Sequence, residues 1–188
     1  MDYRKGLNTL FTSRALGMYL SIQESIYKKH FTQWLQDKTV GFQPFMLQLR
    51  HLNMETSLRV FCGNYIPAEG AKAISDKYWL ITNALELVNF PFAFPGTKVY
   101  KAIQARKQAM QWFEHTAAES KKRMANGEEV TCLTDAWVKS MIDAREDRKN
   151  EDLNVDQRRV LVRDFSDREI AMVLLLSLIH ISEPTRPL

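Results

Sequence analysis

The sequence predicts a mainly α-helical chain with no substantial sheet. Three observations lead there. Apolar residues recur at steps of three and four along most of the 188 residues. Seven glycines and six prolines leave few turns, so the elements must be long. Ser166 and Glu169 form a capping box, with Phe165 and Ile170 placed to clamp it as a hydrophobic staple.

Taken in order, the elements begin with a short helix over Asp2–Phe11. Ser13 is read as the cap of a second helix running to about Gln36. Its apolar stripe is Leu16, Tyr19, Ile22, Ile26, Phe31 and Trp34, with Lys28 and Lys29 outside it. Pro44 opens a third helix, in which Phe45, Leu49, Leu52, Thr56 and Val60 repeat at helical spacing and which stops at Gly63. Pro67 and Gly70 open a fourth, carried by Ala71, Ile74, Tyr78, Ile81, Leu85 and Val88 and ending at Asn89. The stretch FPFAFPGT from Phe90 to Thr97 forbids helix and advertises apolar surface. From Lys98 the pattern is helical again to about Met124, where Asn126-Gly127 stops it. Lys121, Lys122 and Arg123 there suit the negative end of the helix dipole. A sixth helix is expected over Thr134–Asp147, then an exposed polar loop over Arg145–Asn154 before the helix capped at Ser166.

A net charge of +4 and a pI near 9.1 are mildly basic. The Lys and Arg residues are spread over several helices among Asp and Glu, which favours solvated helix faces and argues against a nucleic-acid partner. The Lys28-Lys29 and Lys121–Arg123 clusters are read as solvated, a reductase or lipid headgroups being the alternative. Cys62 and Cys132 stand apart without metal-ligand spacing, as reduced buried thiols would. His30, His51 and His115 fall on separate helices and read as packing or surface residues. No apolar run is long enough to cross a bilayer, so no membrane span is expected within these residues; an anchor ahead of them stays open. No nucleophile elbow or phosphate loop is present, and these patterns alone describe a helical portion of a larger α-rich protein.

After Leu175 the text reads LSLIHISEPTR, which no helix signal explains. It resembles the translation of a sequencing-library adapter. Residues 1–175 are therefore expected to belong to one domain, and residues 176–188 to be a non-native tail.

Three stretches read together carry a resemblance. DYRKGLNTLFTSRALGMYL (Asp2–Leu20), FPFAFPGTKVYKAIQARK (Phe90–Lys107) and RDFSDREIAMVLL (Arg163–Leu175) resemble the cytochrome P-450 haem-thiolate monooxygenases, and within them the fungal sterol C-22 desaturases. The resemblance implies a partial cytochrome P-450 fold, from helix C to the early turns of helix I. It implies a parent haem-iron oxidoreductase at the cytosolic face of the endoplasmic reticulum membrane, with a sterol substrate and electrons passed from NADPH through a cytochrome P-450 reductase. Another sterol or isoprenoid hydroxylase of that superfamily, or a non-catalytic helical module, remains the alternative.

By the same resemblance Arg4 matches the helix C arginine that grips a haem propionate, and Lys5 assists it. A helix-surface arginine is the plainer reading of Arg4. Leu87, Val88, Phe90, Phe92 and Phe94 match the roof of the substrate chamber, with packing between helices as the alternative for each. The Phe90–Thr97 loop is expected to meet the membrane surface, and Pro95-Gly96 to be a helix-start device. The family's acid-threonine kink, Glu-x-x-Arg pair and iron-ligand cysteine loop find no match, so no catalytic residue or metal ligand is nominated and this chain alone is expected to be inactive.

Overall fold

The computed structural model describes residues 12–36, 45–85, 94–149 and 163–182. Among them are six helices and no strand: α1 (Ser13–Gln36), α2 (Phe45–Cys62), α3 (Ala68–Leu85), α4 (Lys98–Ala125), α5 (Leu133–Lys149) and α6 (Asp167–Ser182). The mainly α class is confirmed. The helix expected over Asp2–Phe11 lies outside the described residues, as does Val88 at the expected end of α3.

Local chemistry sets the ends of these helices. Thr12 caps α1, in place of the expected Ser13: its hydroxyl accepts from the Ala15 amide at 3.3 Å and its carbonyl from the Leu16 amide at 2.9 Å. Gly63 ends α2 at φ 53°, its amide bonding back to the Arg59 carbonyl at 2.9 Å. Thr97 caps α4 by accepting from the Tyr100 amide, which leaves Pro95-Gly96 as the turn leading into the helix, as expected. At its other end Gly127 takes φ 75° and donates to Met124, while Glu128 donates to Arg123. Those two bonds are the Schellman pair, and Asn126-Gly127 is the stop that the sequence predicted. The capping box of α6 is reciprocal: the Ser166 amide donates to Glu169 at 2.8 Å and the Glu169 amide to the Ser166 hydroxyl at 3.3 Å.

α4 is the centre of the packing. Its buried face is Ala102, Ala105, Ala109, Phe113, Thr116, Ala117, Ser120 and Met124, mostly small side chains that let neighbouring backbones approach. α6 covers it most extensively, with α3 and α5 on either side, while α2 touches α6, α3 and α5 and α1 packs mainly on α2. Onto that surface α6 buries Ile170, Ala171, Leu174, Leu175 and Leu178; each of the larger aliphatics contributes about 1.5–3 kcal/mol by leaving water. Phe165 and Ile170 are buried in the same cluster, as the staple requires.

Three expectations are corrected. The residues after Leu175, which no helix signal explains, are helical as far as Ser182: α6 buries Leu178 completely there and offers the Ile179 carbonyl to the Tyr78 hydroxyl at 3.4 Å. An apolar run that continues a capped helix over an open core is held by burial, with no propensity signal needed. α5 runs to Lys149, so Arg145–Lys149 are helical and not loop. On α1 only Tyr19 and Ile26 of the expected stripe are buried, whereas Leu16 and Phe31 stay about half exposed, because a single helix, α2, provides most of its contact surface.

Gly63 and Gly127 share a left-handed backbone but differ in surroundings. A Cβ at Gly63 would lie 3.2 Å from the Cys132 Cβ, whereas one at Gly127 meets nothing within 4 Å. Gly127→Ala should cost about 1 kcal/mol of unfolding free energy for the backbone alone. Gly63→Ala should cost about 2 kcal/mol or more, and urea denaturation of the two variants side by side measures the difference.

Candidate functional site

Of the residues that sequence reasoning nominated, Arg4, Lys5, Leu87, Val88, Phe90 and Phe92 lie outside the described residues. Phe94 is described: it is 64% exposed, at the turn that enters α4, and its carbonyl accepts from the Thr97 hydroxyl at 2.7 Å. The helices flanking this turn, α3 and α4, pack along each other. Between them lies an open groove of about 660 Å³, with Leu80, Tyr100 and Ala105 among its lining and otherwise only lysines and glutamines. Its polar walls do not suit a hydrocarbon ligand. This groove is therefore distinct from the apolar chamber that a flat sterol would require.

The basic clusters are engaged within the protein. Lys121 donates to the Phe165 carbonyl at 2.8 Å and to Asp167 at 2.6 Å, tying α4 to the start of α6. Arg123 meets Glu128 at 2.8 Å and the Tyr65 hydroxyl at 2.9 Å. Lys122 pairs with Glu119, Lys28 with Glu24 and Lys29 with Glu55. Lys28 and Lys122 stay solvated on their own helices, as expected, whereas Lys29, Lys121 and Arg123 tie one segment to another. Lys29 and His30 share Glu55, at 2.8 and 2.7 Å, and so fasten α1 to α2; burial pushes the Glu55 carboxyl up, yet these bonds hold it below the usual range. His51 bonds Ser75 at 3.0 Å, and His115 lies edge-on to Trp112. No cluster of three metal-ligating side chains occurs among the described residues, nor is any described helix long and apolar enough to cross a membrane.

A haem-thiolate centre needs an accessible, ionised cysteine. Cys62 and Cys132 are both free and buried. Burial pushes the Cys62 thiol up to about 12, and burial with the nearby Asp135 charge raises Cys132 further. Both are packed in the helix core at 0% exposure, which leaves no open face for a haem at either thiol.

The most elaborate polar cluster was not anticipated. Asp135, in the first turn of α5, is fully buried. One carboxylate oxygen accepts from Tyr65 at 2.6 Å and Ser120 at 2.7 Å; the other accepts from the amide and hydroxyl of Thr131 at 3.0 and 2.8 Å. Arg123 stands 3.6 Å from the same carboxylate. Burial alone would raise the Asp135 pKa, but these donors outweigh it and hold it below the usual carboxylate value. Burial chiefly, with the Asp135 carboxylate, raises Tyr65 in turn. The sequence signal was Thr131 followed four residues later by an acid just inside a helix start. Nothing in the sequence places Tyr65 and Ser120 beside it.

Comparison with known proteins shows what this chain is similar to. A C-22 sterol desaturase of Gibberella zeae is 42% identical over 181 residues, matching 93% of this chain and 34% of its own length. The C-22 sterol desaturase of Saccharomyces cerevisiae is 39% identical, matching 90% of this chain and 31% of its own. A cytochrome P450 monooxygenase of Emericella variicolor is 36% identical, with 92% of this chain and 34% of its own length matched. The chain thus spans about a third of the length of the curated relatives it matches. No family model and no solved structure matches it.

Asp135→Asn leaves the charge out and turns one acceptor into a donor facing donors, which should cost about 3 kcal/mol at neutral pH. Because the folded-state pKa is depressed, the carboxylate's stabilisation is complete above its unfolded value, about 3.9, and is lost as pH falls through the lower folded value. Denaturant midpoints measured from pH 7 to pH 3 should fall less steeply in Asp135→Asn than in the unsubstituted chain.

Proposed function

We propose, from a chain that corresponds to a cytochrome P-450 segment most similar to the fungal C-22 sterol desaturases, that the whole protein is a haem-dependent oxidoreductase acting on sterols. Its reaction is C-22 side-chain desaturation in ergosterol synthesis. The observation that carries this reading is the 42% identity to a C-22 sterol desaturase over nearly all of this chain, repeated at 38% in Aspergillus fumigatus and Candida albicans. A relative that is not named a desaturase matches too, the Emericella variicolor monooxygenase. That match supports monooxygenation as the second reading, with another sterol or isoprenoid as the proposed substrate.

In this proposal the iron and its thiolate ligand belong to parts of the whole protein other than the described residues, and Arg4, assisted by Lys5, grips a haem propionate. When bound, the haem supplies the oxidising chemistry. Electrons come from NADPH through a cytochrome P-450 reductase. Leu87, Val88, Phe90 and Phe92 face the sterol, while Phe94, expected among them, lies on the side of the Phe90–Thr97 stretch that meets the surface of the endoplasmic reticulum membrane on its cytosolic face. The exposure of Phe94 supports the last point. Residues 176–188 are proposed to be adapter-derived, and this chain alone to hold no haem.

Expression of the whole protein in a host lacking sterol C-22 desaturation tests the reaction. Accumulation of sterols with a 22,23 double bond is the expected result, and hydroxylated products alone would favour the second reading. Arg4→Leu in that whole protein should lower haem retention by about tenfold, the loss of one charge-assisted bidentate contact, read from the Soret absorbance per mole of protein.

A further inference from the structure

Five of the described lysines find a carboxylate. Lys28, Lys29, Lys72, Lys121 and Lys122 pair with Glu24, Glu55, Asp76, Asp167 and Glu119 at 2.6–2.8 Å. The groove between α3 and α4 gathers three that do not. Lys77, Lys101 and Lys107 line it together with Gln104, Gln108 and Gln111, and no carboxylate does. Lys77 donates to the Gln108 amide oxygen at 2.8 Å, a neutral partner that leaves its charge uncompensated. Lys101 and Lys107 meet no carboxylate among the described residues. A concave wall with three ammonium groups and three amides, but no acid, favours an anion.

The groove's position narrows the occupant. Lys101, Gln104, Gln108 and Gln111 follow at steps of three and four, so they share one face of α4. That face begins just after the exposed Phe94 and the Pro95-Gly96 turn. An acidic protein segment would satisfy the lysines but makes no use of an exposed aromatic tip. A bilayer surface takes both, the ring among acyl chains and the ammonium groups at the phosphates.

We propose that the groove between α3 and α4 docks the phosphate headgroups of anionic phospholipids, with Lys77, Lys101 and Lys107 as the contacting cations. This rests on the reading that the stretch ending at Thr97 meets a membrane, and it adds what that membrane must carry.

Co-sedimentation of the full chain with vesicles of phosphatidylcholine, with or without phosphatidylserine, tests the inference. The chain should prefer the vesicles containing phosphatidylserine, and the preference should fade as salt is raised. The triple variant Lys77→Gln/Lys101→Gln/Lys107→Gln should lose about a hundredfold of its affinity for them, at about fivefold per lysine, while binding phosphatidylcholine as before. Phe94→Ser should weaken binding to both vesicle types. Far-ultraviolet circular dichroism checks that the variants keep their helix content, and the single variant Lys101→Gln, expected to lose about fivefold, serves if the triple variant does not fold. An unchanged preference in either lysine variant overturns the inference. Equal binding to both vesicle types, still weakened by Phe94→Ser, overturns the headgroup site and leaves the membrane reading standing. Binding to neither type overturns both. Saturable binding of inorganic phosphate without a vesicle preference makes the groove a small-anion site and also overturns it.

Discussion

The lean face of α4 is the constraint on which the other helices depend. Ala102, Ala105, Ala109 and Ala117 are buried along it, and the two polar residues among them dispose of their hydroxyls without leaving the site. Thr116 returns its hydroxyl to the Trp112 carbonyl at 2.9 Å, and Ser120 gives its own to Asp135. Small side chains there allow three helices to close on one. At close-packed density a larger side chain at Ala109 or Ala117, both essentially without solvent access, would have to displace a neighbouring backbone. The same tightness reaches α3, where a Cβ on Gly70 would stand 2.9 Å from the Trp112 ring.

Close approach alone leaves α5 free to rotate about its axis, and the Asp135 carboxylate removes that freedom. Its four donors come from the segment after α2, from α4 and from Thr131, two residues before α5 begins. An aliphatic side chain of equal size would fill the space without fixing an angle. A buried acid with every acceptor position directed does fix one, at the expense of desolvating a charge. Thr134 adds a second directional contact from the same turn, donating to the Phe61 carbonyl at 2.6 Å. The start of α5 is thereby keyed to the end of α2, where Gly63 leaves room for Cys132.

Helix order and most helix ends were legible in the sequence, because caps and stops act over three to five residues. The Ser166–Glu169 box, the Asn126-Gly127 stop and the fourth helix's run of Ile74, Tyr78 and Ile81 are of that kind. Burial was legible where the covered face is as wide as the apolar stripe, as on α3, and not on α1, whose stripe is wider than the face α2 covers. α2 buries Met54, Leu58 and Phe61 as well as the expected Leu52, Thr56 and Val60, since it is packed from several sides and periodicity cannot register that. The continuation of α6 to Ser182 has the same cause: Leu178 is placed by Tyr78 and its neighbours, a hundred residues away in sequence. The candidate site was legible through family resemblance far more than through pattern. Arg4 and the Leu87–Phe92 set therefore stand as proposals, and the Asp135 cluster, which no resemblance pointed to, was missed.

Charge shows the same division between local and assembled information. A net +4 spread over mixed helices reads as uniform solvation when only neighbours in sequence are counted. Folding gives the lysines different surroundings. Some acquire acids from another helix, as Lys29 does from α2 and Lys121 from α6, and become part of the packing. Others, in the groove between α3 and α4, are brought together with amides alone. Exposed pairs contribute little to stability, so this sorting matters less for holding the fold than for where positive potential is left. Cancelling charge at the α1–α2 and α4–α6 contacts concentrates what remains of the +4 onto fewer faces, and a groove with three ammonium groups and no acid is one place where it collects.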